Sequence, residues 1–244
     1  MSDLRSLKVK LFADGADLAG IREMATNPVI KGFTTNPTLM RKAGVGDYKV
    51  FALQVLGVVG NRPVSFEVFD DDFDHMEKQA LEIASWGKNV NVKIPVTNTK
   101  GEFCGPLVER LSRAGVQVNV TAVMTVQQVA RVVERLAVDT PAIVSVFAGR
   151  IADTGRDPLP IMAECVSLLK ARPKAELIWA SPRELLNVFH ADQVGCHIIT
   201  ATHDILKKLS LVGKDLERYS LETVEMFHQD AKAAGYSIAV RKVA

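Results

Sequence analysis

Lys93 is the side chain of this 244-residue sequence with the most chemistry open to it. It lies in Val90-Asn91-Val92-Lys93-Ile94-Pro95, where apolar and polar residues alternate. Successive side chains of a strand point to opposite faces, so Val90, Val92 and Ile94 share one face and Asn91 and Lys93 the other. If the apolar face packs on helices, the amine points into a largely dry interior, where an unpaired ammonium is costly. It then needs partners, water or a neutral form, and burial favours the neutral form of an amine. A neutral amine is a nucleophile able to form a Schiff base with a carbonyl. The same alternation turns Ser65 and Glu67 inward in Val64-Ser65-Phe66-Glu67-Val68, and Gln117, Asn119 and Thr121 in Val116-Gln117-Val118-Asn119-Val120-Thr121. It places Ser145 and Phe147 inward in 144–147, and Trp179 and Ser181 in 178–181. Trp179 would then stack on a ligand or floor the pocket. Glu67 is a carboxylate within reach of the lysine, either for proton transfer or as a structural ion-pair partner. Polar inward residues on five strands, toward their C-terminal ends, describe a site.

The elements that must position these residues follow from periodicity. Short β-branched runs at 8–13, 32–35, 64–69, 90–96, 116–120, 142–147, 176–180 and 196–200 alternate with segments of helical period such as 76–86, 107–114, 126–136 and 160–171. Eight βα units over one unbroken chain, 1–244, predict a single α/β domain, a (β/α)8 barrel with its site at the C-terminal ends of the strands. A doubly wound open sheet is the competing architecture. The first strand is followed by Ala13-Asp14-Gly15-Ala16, which is no Gly-rich phosphate loop, so a dinucleotide site is poorly supported. Residues about 220–235 predict an appended C-terminal helix with Val224, Phe227 and Ala231 on one face, packing on its own barrel or on a neighbouring subunit.

Composition excludes several classes. A net charge of +2, with 30 basic against 28 acidic residues, is too small for a general nucleic-acid binder. No stretch reaches about 18 uninterrupted apolar residues, so no membrane span is expected. The first residues, Met-Ser-Asp-Leu-Arg-Ser-Leu-Lys, lack the apolar core of a signal peptide. Cys104, Cys165 and Cys196 are widely spaced and fit reduced thiols, hence a cytoplasmic location. Asp70, Asp71, Asp72, Asp74 and His75 sit between a strand and a helix, where acidic residues cap and complement a helix N-terminus, so no metal is expected there.

Three segments resemble the transaldolase family, in particular its short-chain members, which include the fructose-6-phosphate aldolases. Phe12-Ala13-Asp14 resembles the end of that family's first strand, and Thr34-Thr35-Asn36-Pro37-Thr38 its Thr-Thr-Asn-Pro-Ser/Thr signature. Val92-Lys93-Ile94-Pro95-Val96-Thr97 resembles the segment that carries its Schiff-base lysine. The resemblance runs from Leu11 to about Leu206. It implies that Lys93 forms an imine with a ketose, that Asp14 holds the hydroxyl whose proton is lost on C–C cleavage, and that Glu67 and Thr121 hold a proton-shuttling water. Thr35 and Asn36 would position substrate hydroxyls, joined by the inward-facing Asn119, Ser145, Phe147 and Trp179. Arg150, Ser181 and Arg183 match phosphate-binding positions, and Arg156 is a further contact or a solvated helix-start residue.

Glu67 and the Phe147 of Ser145-Val146-Phe147-Ala148-Gly149-Arg150-Ile151 follow the transaldolase pattern, whereas aldolase-type members carry glutamine and tyrosine. The resemblance therefore implies transfer of a dihydroxyacetone unit between sugar phosphates, with no cofactor and a homo-oligomeric, pentameric or decameric, assembly. A dihydroxyacetone lyase, a transaldolase for a sulfonated sugar and a non-catalytic phosphosugar-binding protein are the alternatives. Pro182 departs from the usual Ala-Ser-Phe-Arg/Lys pattern and removes an amide donor from the anion loop.

Overall fold

Eight parallel strands close into a barrel in sequence order: β1 (Lys10–Asp14), β2 (Ile30–Thr34), β3 (Val64–Glu67), β4 (Val90–Pro95), β5 (Val118–Val123), β6 (Ala142–Val146), β7 (Ala175–Trp179) and β8 (Ile198–Thr202). Helices cover it outside, so the chain is a (β/α)8 barrel and the open sheet is excluded by the β1–β8 pairing. The computed structural model describes residues 4–239. Residues 1–3 and 240–244 lie outside the described residues, as does the part of the N-terminal reading that rests on 1–3.

The alternation in the sequence becomes two cores. Val64, Phe66, Val90, Val92, Ile94, Val118, Val120, Val144 and Val146 face outward and are buried between strands and helices. Inside the barrel, Phe12, Ile143, Ile178, Ala180 and Ile198 form a smaller apolar plug. Its size dictates a glycine: a Cβ on Gly32 would lie 2.4 Å from the Phe12 ring, a distance no real contact shows. The plug leaves the C-terminal ends of the strands for polar side chains.

One strand runs opposite to its expected phase. Trp179 belongs to the outer core, its ring centroid 6.3 Å from that of His190, while Ile178 and Ala180 point inward. Ser145 pairs with Ile178 and Val146 with Trp179, which carries the phase of β6 onto β7. The polar marker used to set that phase, Ser181, lies past the strand end in a left-handed conformation (φ 56°), where alternation no longer holds.

Helix starts are capped by the residues expected to do so. Asp72 accepts from the amides of Asp74 and His75 at the start of helix Phe73–Ser85, and Asp70 from those of Asp71 and Asp72. Asp71 holds the amide and hydroxyl of Thr99, so the acidic run is spent on backbone and loop bonding. The three cysteines are free and buried, and burial pushes each thiol up to about 12. The tail helix is longer than its apolar periodicity suggests, Leu216–Ala233, capped by Asp215. None of its residues is buried, and Phe227 is 62% exposed. Among the described residues no helix is long and apolar enough to cross a membrane.

Candidate functional site

A cavity of about 570 Å³ opens at the C-terminal ends of the strands. Its wall takes Asp14 from β1, Glu67 from β3, Lys93 from β4, Thr121 from β5 and Ser145 from β6. Asn36, Phe147, Arg150, Ser181 and Arg183 join them from the segments that follow β2, β6 and β7. Glu67 pairs with Lys93 in register, and Lys93 with Asn119, which sets the three at one level of the barrel.

Lys93 is 7% exposed. Its Nζ lies 3.0 Å from Glu67 Oε2 and donates to the Thr35 carbonyl at 2.8 Å, so the buried amine has both a carboxylate and a carbonyl partner. Thr35 contributes this carbonyl rather than its side chain. Its hydroxyl donates to the Ser65 carbonyl, the residue is fully buried, and it does not line the cavity, which corrects the expected substrate contact. Asn119 is likewise withdrawn from the wall. It donates to Ser65 Oγ at 3.0 Å and accepts from Ser145 Oγ at 2.7 Å, filling the barrel interior and fixing Ser145, the neighbour that does reach the cavity. Trp179, turned outward, is the third expected contact that the fold keeps out of the site.

Asp14 is held from β2: Thr34 Oγ1 donates to its Oδ1 at 2.8 Å and Asn36 Nδ2 to its Oδ2 at 3.4 Å. Burial pushes its carboxyl above the ordinary value of 3.8, against the pull of Lys93, Thr34, His203 and Asn36. Asn36 is fixed in turn as the cap of the short helix Pro37–Lys42, its Oδ1 accepting from the Leu39 amide at 3.0 Å. Thr121 ends the regular run of β5, since Ala122 adopts φ 61° and the β5–β6 register shifts there. Its Oγ1 is buried without a hydrogen-bond partner among the described residues.

On one side of the cavity the helix Ala148–Asp153 after β6 touches the loop after β7. A Cβ on Gly149 would lie 1.5 Å from the Ser181 carbonyl oxygen, so only glycine lets that helix meet that loop. That contact brings Arg150 and Arg183 to one side of the cavity. The Arg183 guanidinium pairs with Asp153 through two bonds, one from Nε at 2.9 Å, and holds the Asp153 carboxyl below its usual range. The guanidinium of Arg150 lies 5.6 Å from the Phe147 ring centroid. Arg156 stays off the cavity wall and donates to Thr154 Oγ1 at 3.3 Å.

Thr34, Thr200, Thr202 and Asp204 are among the further residues that line the cavity. Thr200 and Thr202 follow the same alternation as the inward residues of the other strands, on a strand that runs to Thr202 rather than ending at Thr200. Tyr48 carries no such signal. From the start of the helix Tyr48–Val59, which immediately precedes β3, its hydroxyl donates to the Glu67 carbonyl at 3.0 Å and accepts from the Glu67 amide at 2.7 Å, fixing the carboxylate's backbone.

Residues 11–238 match the family model described as "Transaldolase/Fructose-6-phosphate aldolase". A "Probable transaldolase" of Dehalococcoides mccartyi is 35% identical over 202 residues, 82% of this chain and 90% of that protein. Another from Thermoanaerobacter sp. is 33% identical over 231 residues, 94% of this chain and all of that protein. Among solved structures, a dihydrodipicolinate synthase from Rhodopseudomonas palustris shares the fold, with a TM-score of 0.55 at 12% identity, covering 79% of this chain and 69% of that one. Barrel, lysine segment and family match agree, and the chain belongs to the transaldolase/fructose-6-phosphate aldolase family.

Proposed function

We propose that the protein transfers a dihydroxyacetone unit from a ketose phosphate to an aldose phosphate through a Schiff base on Lys93. The observation that carries this reading is the buried Lys93 amine on the cavity wall, 3.0 Å from the Glu67 carboxylate, in a cavity that also holds Asp14 and two arginines. In this reading Glu67 takes a proton from Lys93, and the neutral amine adds to the ketose carbonyl. The carbinolamine oxygen is protonated and leaves as water, giving an iminium that draws electrons from the adjoining C–C bond. Asp14 removes the hydroxyl proton beyond that bond, the bond breaks, and an aldose phosphate departs while a three-carbon enamine stays on Lys93. The enamine then adds to an acceptor aldehyde, Asp14 returns the proton to the new hydroxyl, and water releases the product ketose and free Lys93.

The unpartnered Thr121 hydroxyl and Glu67 suit a bridging water for the proton steps at the imine. Arg150 and Arg183 suit an oxyanion, since guanidinium groups give paired, charge-assisted bonds. Phe147 offers no proton to the enamine, which favours waiting for an acceptor over release of free dihydroxyacetone. Turnover of fructose 6-phosphate with and without erythrose 4-phosphate tests the transfer. The proposal predicts consumption that depends on the acceptor; release of dihydroxyacetone at a similar rate without it overturns transfer in favour of lysis.

A further inference from the structure

Behind Asp14 two buried threonine hydroxyls stand in series. Thr34 Oγ1 donates to Asp14 Oδ1 at 2.8 Å and lies 2.5 Å from Thr200 Oγ1, which reaches it from β8. A threonine hydroxyl has one hydrogen. With that of Thr34 given to the carboxylate, Thr200 must be the donor in the contact between the two hydroxyls. The chain therefore runs from Thr200 through Thr34 to Oδ1 and is polarised toward the charge. Among the described residues, Oδ2 has only the long 3.4 Å bond from Asn36. The two oxygens of Asp14 are thus unequal: one is held as an acceptor, and the other, beside a residue of the cavity wall, is free to take a proton.

We propose that Thr200 is a positioning residue for the proton transfer at Asp14: by donating to Thr34 it keeps Oδ1 an acceptor and directs the incoming proton to Oδ2. This rests on the assignment of Asp14 as the base of C–C cleavage. A proton arriving on Oδ1 instead would require both hydroxyls to reverse their donation, so the chain disfavours that form. The same donation stabilises the ionised carboxylate, opposing the burial that raises its pKa. The charged or titratable groups facing Asp14 are Lys93 from β4 and His203 from the helix His203–Lys207, with Asn36 and Thr34 as its neutral donors. Neither Lys93 nor His203 takes part in the Thr34–Thr200 contact.

The test compares Thr200→Val, which keeps the shape and removes the donor, with Thr200→Ser, which restores it. Two readouts are followed against pH: kcat and KM for the transfer, and the infrared carbonyl band of protonated Asp14, assigned by its absence in Asp14→Asn. Thr200→Val is expected to move the midpoint of the Asp14 band and the acid limb of kcat together to higher pH. It should lower kcat about ten-fold, the size of one weakened bond to a charged group, with KM within about two-fold. Thr200→Ser is expected to return both to wild type. An unmoved band in Thr200→Val, a serine variant that behaves like valine, or a rise in KM alone would overturn the proposal. If the wild-type protein transfers nothing, the assigned reaction fails, and the band still decides whether Thr200 acts on Asp14.

Discussion

Asp14 and Lys93 are the two groups whose burial matters most, and only one of them has a charged partner in direct contact. Lys93 has Glu67 at 3.0 Å, whereas Asp14 has neutral donors and a carboxyl pushed up by burial. The folded state therefore holds the Asp14 proton more tightly than the unfolded chain. The stability this adds is present below the ordinary value of 3.8 and is lost as pH rises through the raised folded value. Asp14→Asn lacks that loss. Its melting temperature relative to wild type is expected to rise as pH is raised above the ordinary carboxyl value of 3.8, while its activity falls by about 100-fold or more. A melting difference that is flat with pH would contradict the assignment of a raised carboxyl. At the enamine, Phe147→Tyr supplies the missing hydroxyl. The ratio of dihydroxyacetone release to transfer is expected to rise about ten-fold or more, the low end of what a positioned acid contributes, and an unchanged ratio would count against the role of Phe147.

The elements work as a set of aligned strand ends, and one close approach sets the side of the cavity that carries Arg150 and Arg183. Gly149→Ala drives a methyl group into the Ser181 carbonyl, so the helix after β6 and the loop after β7 must part. A loss of about 3 kcal/mol in stability is expected by denaturant melting, together with a raised KM for phosphorylated sugars that unphosphorylated dihydroxyacetone does not share. A variant as stable as wild type would show that the helix and the loop can part without cost. The alternation rule was sufficient where a polar residue sat inside the strand, as with Ser65, Lys93 and Ser145. It failed on β7, where Ile178, Trp179 and Ala180 are all apolar and the polar marker lies beyond the strand in a left-handed turn. Alternation also says which face a residue takes but not how deep it lies, which is why Asn119 was expected in the cavity and is found bonding across the interior. Thr35 was legible as part of a motif, but the use of its carbonyl, a backbone atom, leaves no mark on the sequence.

At the scale of the molecule, a balanced net charge of +2 conceals a local grouping of Lys93, Arg150 and Arg183 around one cavity. The barrel was legible because eight βα units leave few other closures, while the tail was legible only as a helix. Leu216–Ala233 buries none of its residues against its own barrel, and Val224 and Phe227 are exposed on it. We propose that the homo-oligomer implied by the family resemblance covers this face with a second copy of the chain. Light scattering should give an assembly larger than one chain, and Val224→Asp with Phe227→Asp should reduce it to monomers that keep the barrel's circular dichroism. A monomeric wild-type protein at micromolar concentration would contradict this.

A covalent bond between a ketose and Lys93 underlies the proposed transfer, and borohydride reduction in the presence of fructose 6-phosphate traps it. A reduced three-carbon adduct is expected by peptide mass analysis on Lys93 and on no other lysine, and none in Lys93→Met. An unmodified Lys93 in a preparation that turns over the sugar would contradict it.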